Sequence, residues 1–224
     1  TTTTGDSEGE ILSQKPVGIT PELIDRIVAG FVGKIEQTPP MYSAVKHQGE
    51  RLYKLARKGI EVERKSREIE IYSLQVLALE KDLLTLDIHC SKGTYIRTLA
   101  EDIGEQLGCG AYLFALERTA VQPFWDARTY TLDELRAISD QSHIEGNPQL
   151  LDCLLPIDAA LSDWPRIDLT PDMSFYMLQG QAVKVPQAPT QGLVRLYDQN
   201  SKFIGLGHIL ADGRIAPKRL LSSK

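Results

Sequence analysis

Cationic, phenolic and hydroxyl side chains crowd one short run of this 224-residue chain, His89-Cys90-Ser91-Lys92-Gly93-Thr94-Tyr95-Ile96-Arg97. The run follows an alternating apolar stretch, Leu84 to Ile88, and precedes apolar positions Ile96, Leu99, Ile103 and Leu107 at helical spacing. Thr94 stands where a hydroxyl can cap that helix by accepting from an unpaired backbone N–H. Lys92, Tyr95 and Arg97 then meet at a strand-to-helix corner, where an anion or carboxylate is favoured. A guanidinium there can form two parallel bonds to a carboxylate, keeping it ionised and aimed. The same side chains also suit a structural role, with Arg97 in an ion pair and Tyr95 half in a core. A second cluster is Pro39-Pro40-Met41-Tyr42-Ser43-Ala44-Val45-Lys46, in which a tyrosine leaves a proline corner in extended backbone. A flat ring suits an enzyme that must extract a base from folded RNA and hold it, and equally suits a core.

The elements needed to present these residues are legible around them. Thr20-Pro21-Glu22 is a helix start, with Leu23, Ile24, Ile27, Val28 and Phe31 on one face and Gly33 as the stop. A second short helix spans Leu52 to Lys58 and stops at Gly59. Arg67 to Leu79 and Leu83 to Ser91 are strands joined by Glu80-Lys81-Asp82, a hairpin. The helix opened by Thr94 closes at Gly108, and Leu113 to Val121 forms another strand. Thr131-Leu132-Asp133-Glu134 is a capping box for a helix to Ser139, and residues 140–149 form a loop. After Pro156 short runs at Gln181–Val185, Gly192–Tyr197, Phe203–Ile209 and Arg214–Leu221 alternate with turns, of which Asp212-Gly213 is the strongest hairpin signal. The fold class is α+β, with a mixed, mainly antiparallel domain at 1–155 and a small all-β domain at 156–224.

Composition narrows the function. A hydrophobic content of 42% beside 25% charged residues is that of an ordinary globular protein. No apolar run approaches the roughly 20 residues of a membrane span, and no cationic leader opens the chain, so the expected location is the cytoplasm. Three widely spaced cysteines, Cys90, Cys109 and Cys153, indicate reduced, buried thiols. Cys90 and His89 point to opposite faces of a strand, and no compact ligand spacing occurs, so no metal is expected. No Gly-rich phosphate loop or Gly-x-Ser-x-Gly elbow is present. The net charge of −5 does not exclude RNA, because screening confines each charge to about 10 Å at 0.1 M salt and local clusters decide. Lys184, Arg195, Lys218 and Arg219 on the C-terminal strands are candidate phosphate contacts.

The string H-C-S-K-G-T-Y-I-R-T resembles the signature of the TruB family of tRNA pseudouridine synthases, and P-P-M-Y-S-A-V-K with Gly49 and Leu52-Tyr53 resembles a second family segment. Leu113-Phe114-Ala115-Leu116-Glu117-Arg118-Thr119 is similar to a family strand, and Leu161 to Leu221 resembles the family's PUA-like tail. The resemblance covers nearly the whole chain, broken mainly around residues 139–149. It implies isomerisation of the T-loop uridine of tRNA (position 55) by a monomer, without cofactor or metal. It further implies that Arg97 pairs with a nucleophilic aspartate, that Tyr42 packs on the flipped uracil near its C5 proton, and that Tyr95, Lys92 and Leu116 shape the uridine pocket. The tail would grip the T-arm through Lys184, Arg195, Lys218 and Arg219.

One departure stands out. The family's nucleophile lies in a segment resembling G-H-T-G-T-L-D-P, and no such string occurs among these residues. The opening Thr-Thr-Thr-Thr-Gly-Asp-Ser-Glu-Gly-Glu resembles a later family segment, T-x-T-x-D-x-x-G-E, with Asp6 within it. Asp87, Asp152 and Asp158 lack the nucleophile's context and are expected to be solvated or capping residues. The chain therefore resembles the family without its N-terminal part, inactive alone and exposing a sheet edge. The alternative readings are a non-catalytic module that binds structured RNA or chaperones tRNA, and a scaffold for protein partners.

Overall fold

A computed structural model describes residues 1–140 and 147–221. They divide into two compact units, Thr1–Glu117 and Arg118–Lys224.

In the first unit, helix α1 (Pro21–Ala29) starts where Thr20 Oγ1 accepts from Leu23 N at 3.4 Å and Pro21 takes the position that needs no N–H. It ends at Gly30, earlier than the glycine the sequence suggests, because Gly33, with φ +107°, already opens strand β1 (Gly33–Gln37). A small hairpin of β2 (Lys46–His47) and β3 (Glu50–Arg51) leads into helix α2 (Leu52–Arg57). Strands β4 (Arg67–Glu80) and β5 (Leu83–Cys90) form the expected hairpin, with Lys81 at φ +58° in its turn. The sheet order is β1-β4-β5, antiparallel throughout. Helix α3 (Ile96–Gln106) follows.

One face of this sheet carries the core. Ile69, Ile71 and Leu74 of β4 meet Ile24 and Val28 of α1, Phe31 just beyond it, and Leu99 and Ile103 of α3. Each such burial stabilises by about 1.5–3 kcal/mol, so the core fixes where α3 starts relative to the sheet. Ile71 and Leu99 are fully buried. Leu83, Asp87 and His89 of β5 lie on the exposed face.

Two further expectations fail between residues 94 and 121. Thr94 is not the helix cap: its hydroxyl donates to Ser91 O at 2.9 Å, and Tyr95 takes the N-cap position without a side-chain cap. Gly93, at φ +88°, turns the chain so that Thr94 closes the turn instead. Leu113–Val121 is not a strand. A strand needs a partner, and among the described residues only Asp6 bridges to Leu113.

The second unit holds helix α4 (Leu132–Asp140), the short helix α5 (Pro148–Leu151), a 3₁₀ turn at Ala159–Leu161, β6 (Arg166–Asp168), α6 (Pro171–Leu178), β7 (Leu193–Tyr197), β8 (Phe203–Ile209) and β9 (Ile215–Leu220). Thr131 and Glu134 form the expected capping box, the Thr131 N–H donating to Glu134 Oε2 at 2.7 Å and Glu134 N–H to Thr131 Oγ1 at 3.2 Å. The sheet runs β6-β7-β8-β9, parallel between β6 and β7 and antiparallel beyond. Asp212-Gly213 makes the β8–β9 turn as expected. The region after residue 156 is not all β, because Thr170-Pro171 caps and starts α6, whose Met177 is fully buried. Gln181–Val185 supplies only an isolated bridge, Val183 to Ile215. Of the loop expected at 140–149, residues 141–146 lie outside the described residues, and Asn147 caps α5.

Candidate active site

The core delivers Arg97 to the first turn of α3, and three oxygens receive it. Nη1 donates to Thr4 O at 3.2 Å and to Asp6 Oδ2 at 3.0 Å, while Nη2 donates to Tyr42 O at 2.6 Å. These use three of the five N–H donors an arginine carries. Arg97 and Asp6 keep 24% and 23% of their side-chain surface, so the pair is sheltered yet reachable. Asp6 also accepts from Thr4 Oγ1 and from Glu8 N. Partial burial raises its carboxyl, but the bonds from Thr4 and Glu8 and the Arg97 charge outweigh that and hold it below the usual carboxylate range. Asp6 is therefore ionised at neutral pH.

Glu101, one turn along α3, is pushed above its ordinary value, first by burial and then by the neighbouring Asp102 charge. Arg97 attracts it and Asp6 repels it. Its carboxyl packs so closely on Gly5 that a Cβ there would lie 2.8 Å from Oε1. The glycine before Asp6 is thus a close-approach position.

The structure brings Arg97, Tyr42 and Tyr95 to one place, though Tyr42 meets the guanidinium by its carbonyl, not its phenol. Tyr95 is half-buried at the start of α3, its backbone bonded by Gln37. Lys92 is exposed on the preceding turn. Leu116 is 61% exposed on irregular chain. In the other unit Lys184, Lys218 and Arg219 are exposed, whereas Arg195 is turned inward. Arg195 donates to Trp164 O at 2.9 Å, Tyr197 Oη at 3.2 Å, Ser162 O at 3.2 Å and Asp158 Oδ2 at 3.5 Å. The Tyr197 phenol donates to Asp158 in turn, so Asp158 is a half-buried anchor and not a freely solvated acid. The cysteines are free and half-buried, not buried. Among the described residues no three His, Cys, Asp or Glu side chains converge as metal ligands, and no helix is long and apolar enough to cross a membrane.

Sequence reasoning assigned no role to Asp6 or Gln37. Gln37 had a signal: it is a polar residue at the inward phase of an alternating strand. The run from Lys46 to Arg67, eight Lys and Arg against three Asp and Glu, also went unremarked. Lys46, Arg51, Lys54 and Arg57 on it are exposed, and Arg57 lies over the Tyr53 ring at 5.6 Å.

Family models account for almost the whole chain. TruB family pseudouridylate synthase (N terminal domain) matches residues 1–96, tRNA pseudouridylate synthase B C-terminal domain 97–162, and pseudouridine synthase II TruB, C-terminal 165–221. The chain belongs to the TruB family of pseudouridine synthases. It is 51% identical over 222 residues to tRNA pseudouridine synthase B of Ectopseudomonas mendocina (strain ymp), covering 99% of this chain and 71% of that protein. The like-named protein of Nitrosococcus oceani is 50% identical over 224 residues, 100% of this chain and 71% of the relative. A chain in the crystal structure of a Cbf5-Nop10-Gar1 complex shares the fold at TM-score 0.67 and 22% identity, over 92% of this chain and 64% of that one. A chain in the structure of an H/ACA RNP bound to a substrate RNA containing 2'-deoxyuridine does so at 0.66 and 19%, over 93% and 63%. The chain spans just under two thirds of the length of those two chains.

Proposed function

We propose that this chain serves a tRNA pseudouridine synthase that isomerises the T-loop uridine, position 55, as a cytoplasmic monomer. Identity near 50% to proteins named tRNA pseudouridine synthase B, along the whole chain, supports the reaction. The observation that carries the site is Arg97, fastened by Asp6 and Tyr42 O with two N–H donors to spare. Those two are what the carboxylate of a nucleophilic aspartate takes, in a bidentate pair that keeps it ionised. In the reaction the bond between the ribose C1' and N1 of uracil breaks, the base turns, and C1' bonds to C5. The C5 proton leaves and N1 gains one, so no net oxidation occurs and no cofactor is required.

Within this reading residues 1–155 form the catalytic part and 156–224 the RNA-gripping tail. Tyr95, Tyr42, Leu116 and Lys92 line the uridine pocket, with both phenol rings as flat walls. Lys184, Lys218 and Arg219 meet tRNA phosphates, joined by the exposed cations of Lys46–Arg57. Arg195 serves the tail from within, by holding Trp164 and Asp158 in place.

The test is tritium release from tRNA labelled at uracil C5. The full-length protein is expected to release it, and a full-length protein giving none overturns the reading. Residues 1–224 alone hold no Leu-Asp-Pro string and are expected to bind the T-arm without release.

A further inference from the structure

We infer that Gln37 is a positioning residue for the uridine pocket, acting through Tyr95; this rests on the function proposed above. Gln37 ends β1 at an inward position, following Gly33 and Ile35 in the alternation of that strand. It is 3% exposed, so both ends of its amide need partners. Both are found on one residue 58 positions away. Oε1 accepts from Tyr95 N at 2.7 Å, and Nε2 donates to Tyr95 O at 3.1 Å. The amide orientation is unambiguous, since a backbone N–H only donates and a carbonyl only accepts.

The pair imitates the double exchange between residues of antiparallel strands and joins the end of β1 to the start of α3. It sits where the helix has no side-chain cap of its own. Tyr95 O also receives the first helical bond, from Leu99 N at 3.0 Å. Gln37 therefore fixes both the pocket tyrosine and the turn that carries Arg97. The chain beyond Gln37 runs through Pro39-Pro40 to Tyr42, whose carbonyl returns to Arg97. One wall, Tyr95, is thus pinned by the Gln37 amide itself, and the other, Tyr42, through Arg97 on the turn that this amide fixes. No simpler side chain does this: Asn is a methylene too short to reach both atoms, and Glu sets a carboxylate against the Tyr95 carbonyl.

Gln37→Met keeps the volume and removes both bonds. The 224-residue chain is titrated with a T-arm hairpin carrying the target uridine, and with the same hairpin abasic there. Wild type is expected to prefer the uridine hairpin about tenfold, the scale of one stacked base. Gln37→Met is expected to lose most of that preference while its affinity for the abasic hairpin stays within about twofold, since two ordinary hydrogen bonds are at stake. Tyr95→Ala loses the preference too, and the double variant is no worse, because the two act as a unit. Independently of RNA, the Tyr95 N–H should exchange about tenfold faster in Gln37→Met, with the Ile71 and Ile103 amides unchanged. Equal loss on both hairpins, or additive losses in the double variant, overturns the role. A wild type that binds neither hairpin overturns the proposed function and this inference with it. A wild type that prefers uridine, beside a Gln37→Met that keeps the preference, overturns only the role of Gln37.

Discussion

Arg97→Met isolates what the guanidinium does. Methionine preserves the unbranched stem but removes every donor, so Thr4 O, Asp6 Oδ2 and Tyr42 O each lose a partner. Bonds from a charged donor are worth about 1.5–3 kcal/mol each, and three would sum to at least about 4 kcal/mol if independent. They are not independent. Asp6 keeps Thr4 Oγ1 and Glu8 N, and the site is open enough for water to reach the freed carbonyls. A cost of about 2.7 kcal/mol follows, which is about a hundredfold in an opening equilibrium. The loss is local, because Arg97 ties the segment around Thr4–Asp6 to α3 while the core lies on the other side of that helix. Both tryptophans, Trp125 and Trp164, lie in the second unit, so the first unit carries no tryptophan of its own to report this opening. Amide exchange does. The Ser7 N–H, bonded to Leu113 O at 3.0 Å, and the Leu113 N–H, bonded to Gly5 O at 2.9 Å, should exchange about a hundredfold faster. The Ile71 and Ile103 amides should hold. Exchange at Ser7 and Leu113 within threefold of wild type would refute the claim that Arg97 fastens this segment.

Four further outcomes are expected. Glu101 has a raised folded value, so its ionised form is disfavoured by the fold and stability is lost as pH rises through the carboxylate range; Glu101→Gln should raise the melting temperature at pH 7, an advantage that fades by pH 4. Asp6 has the opposite sign: its stabilisation is complete above the ordinary carboxylate value and is lost as pH falls through its depressed one, so Asp6→Asn should cost more at pH 7 than in acid. Gly205→Ala places a Cβ 2.3 Å from Arg219 O at φ +141°, forcing β8 and β9 apart; a loss of about 2 kcal/mol or more should appear in the tryptophan-detected melt. Arg219→Met should lower the slope of log affinity against log salt by about one, whereas Arg195→Met should leave that slope alone and destabilise its own unit.

Elements built from neighbouring residues were legible in the sequence, and those built from distant ones were not. Thr20-Pro21, the β4–β5 hairpin, the Thr131–Glu134 box and the Asp212-Gly213 turn depend on a few consecutive side chains, and each formed as expected. Helix α6 has the same Thr-Pro-acid opening as α1 yet escaped notice. Its Phe175, Tyr176 and Leu178 are exposed opposite the buried Met177, so the apolar residues mark no single face. Leu113–Val121 misled in the other direction, because strand propensity says nothing about whether a partner exists. The site followed the same rule. Arg97 and Tyr95 stood out by type and motif, but Asp6 lies 91 positions from Arg97 and Gln37 lies 58 from Tyr95. Only the folded core shows that these pairs meet.

The acidic total conceals how an RNA substrate would be met. The run from Lys46 to Arg67 has a surplus of five positive charges in a chain whose sum is −5, so the remainder is the acidic part. Few of these cations are cancelled: Lys58 pairs with Glu50 at 2.8 Å and Arg64 with Glu61 at 3.3 Å. The segment is closed at its base by Thr38 Oγ1 and Ser66 Oγ, 2.9 Å apart, and by Arg64 Nη1 donating to Pro39 O at 3.1 Å. The chain leading into it, at Tyr42, offers its carbonyl to Arg97. A polyanion bound at Lys46, Arg51, Lys54 and Arg57 therefore steadies a loop whose root is Gln37 and whose near end touches the guanidinium. Charge attraction and pocket geometry share one short stretch of chain. Neutralising those four cations should weaken RNA binding and also speed exchange at Tyr95 N–H when RNA is present, an effect that a remote phosphate clamp would not produce.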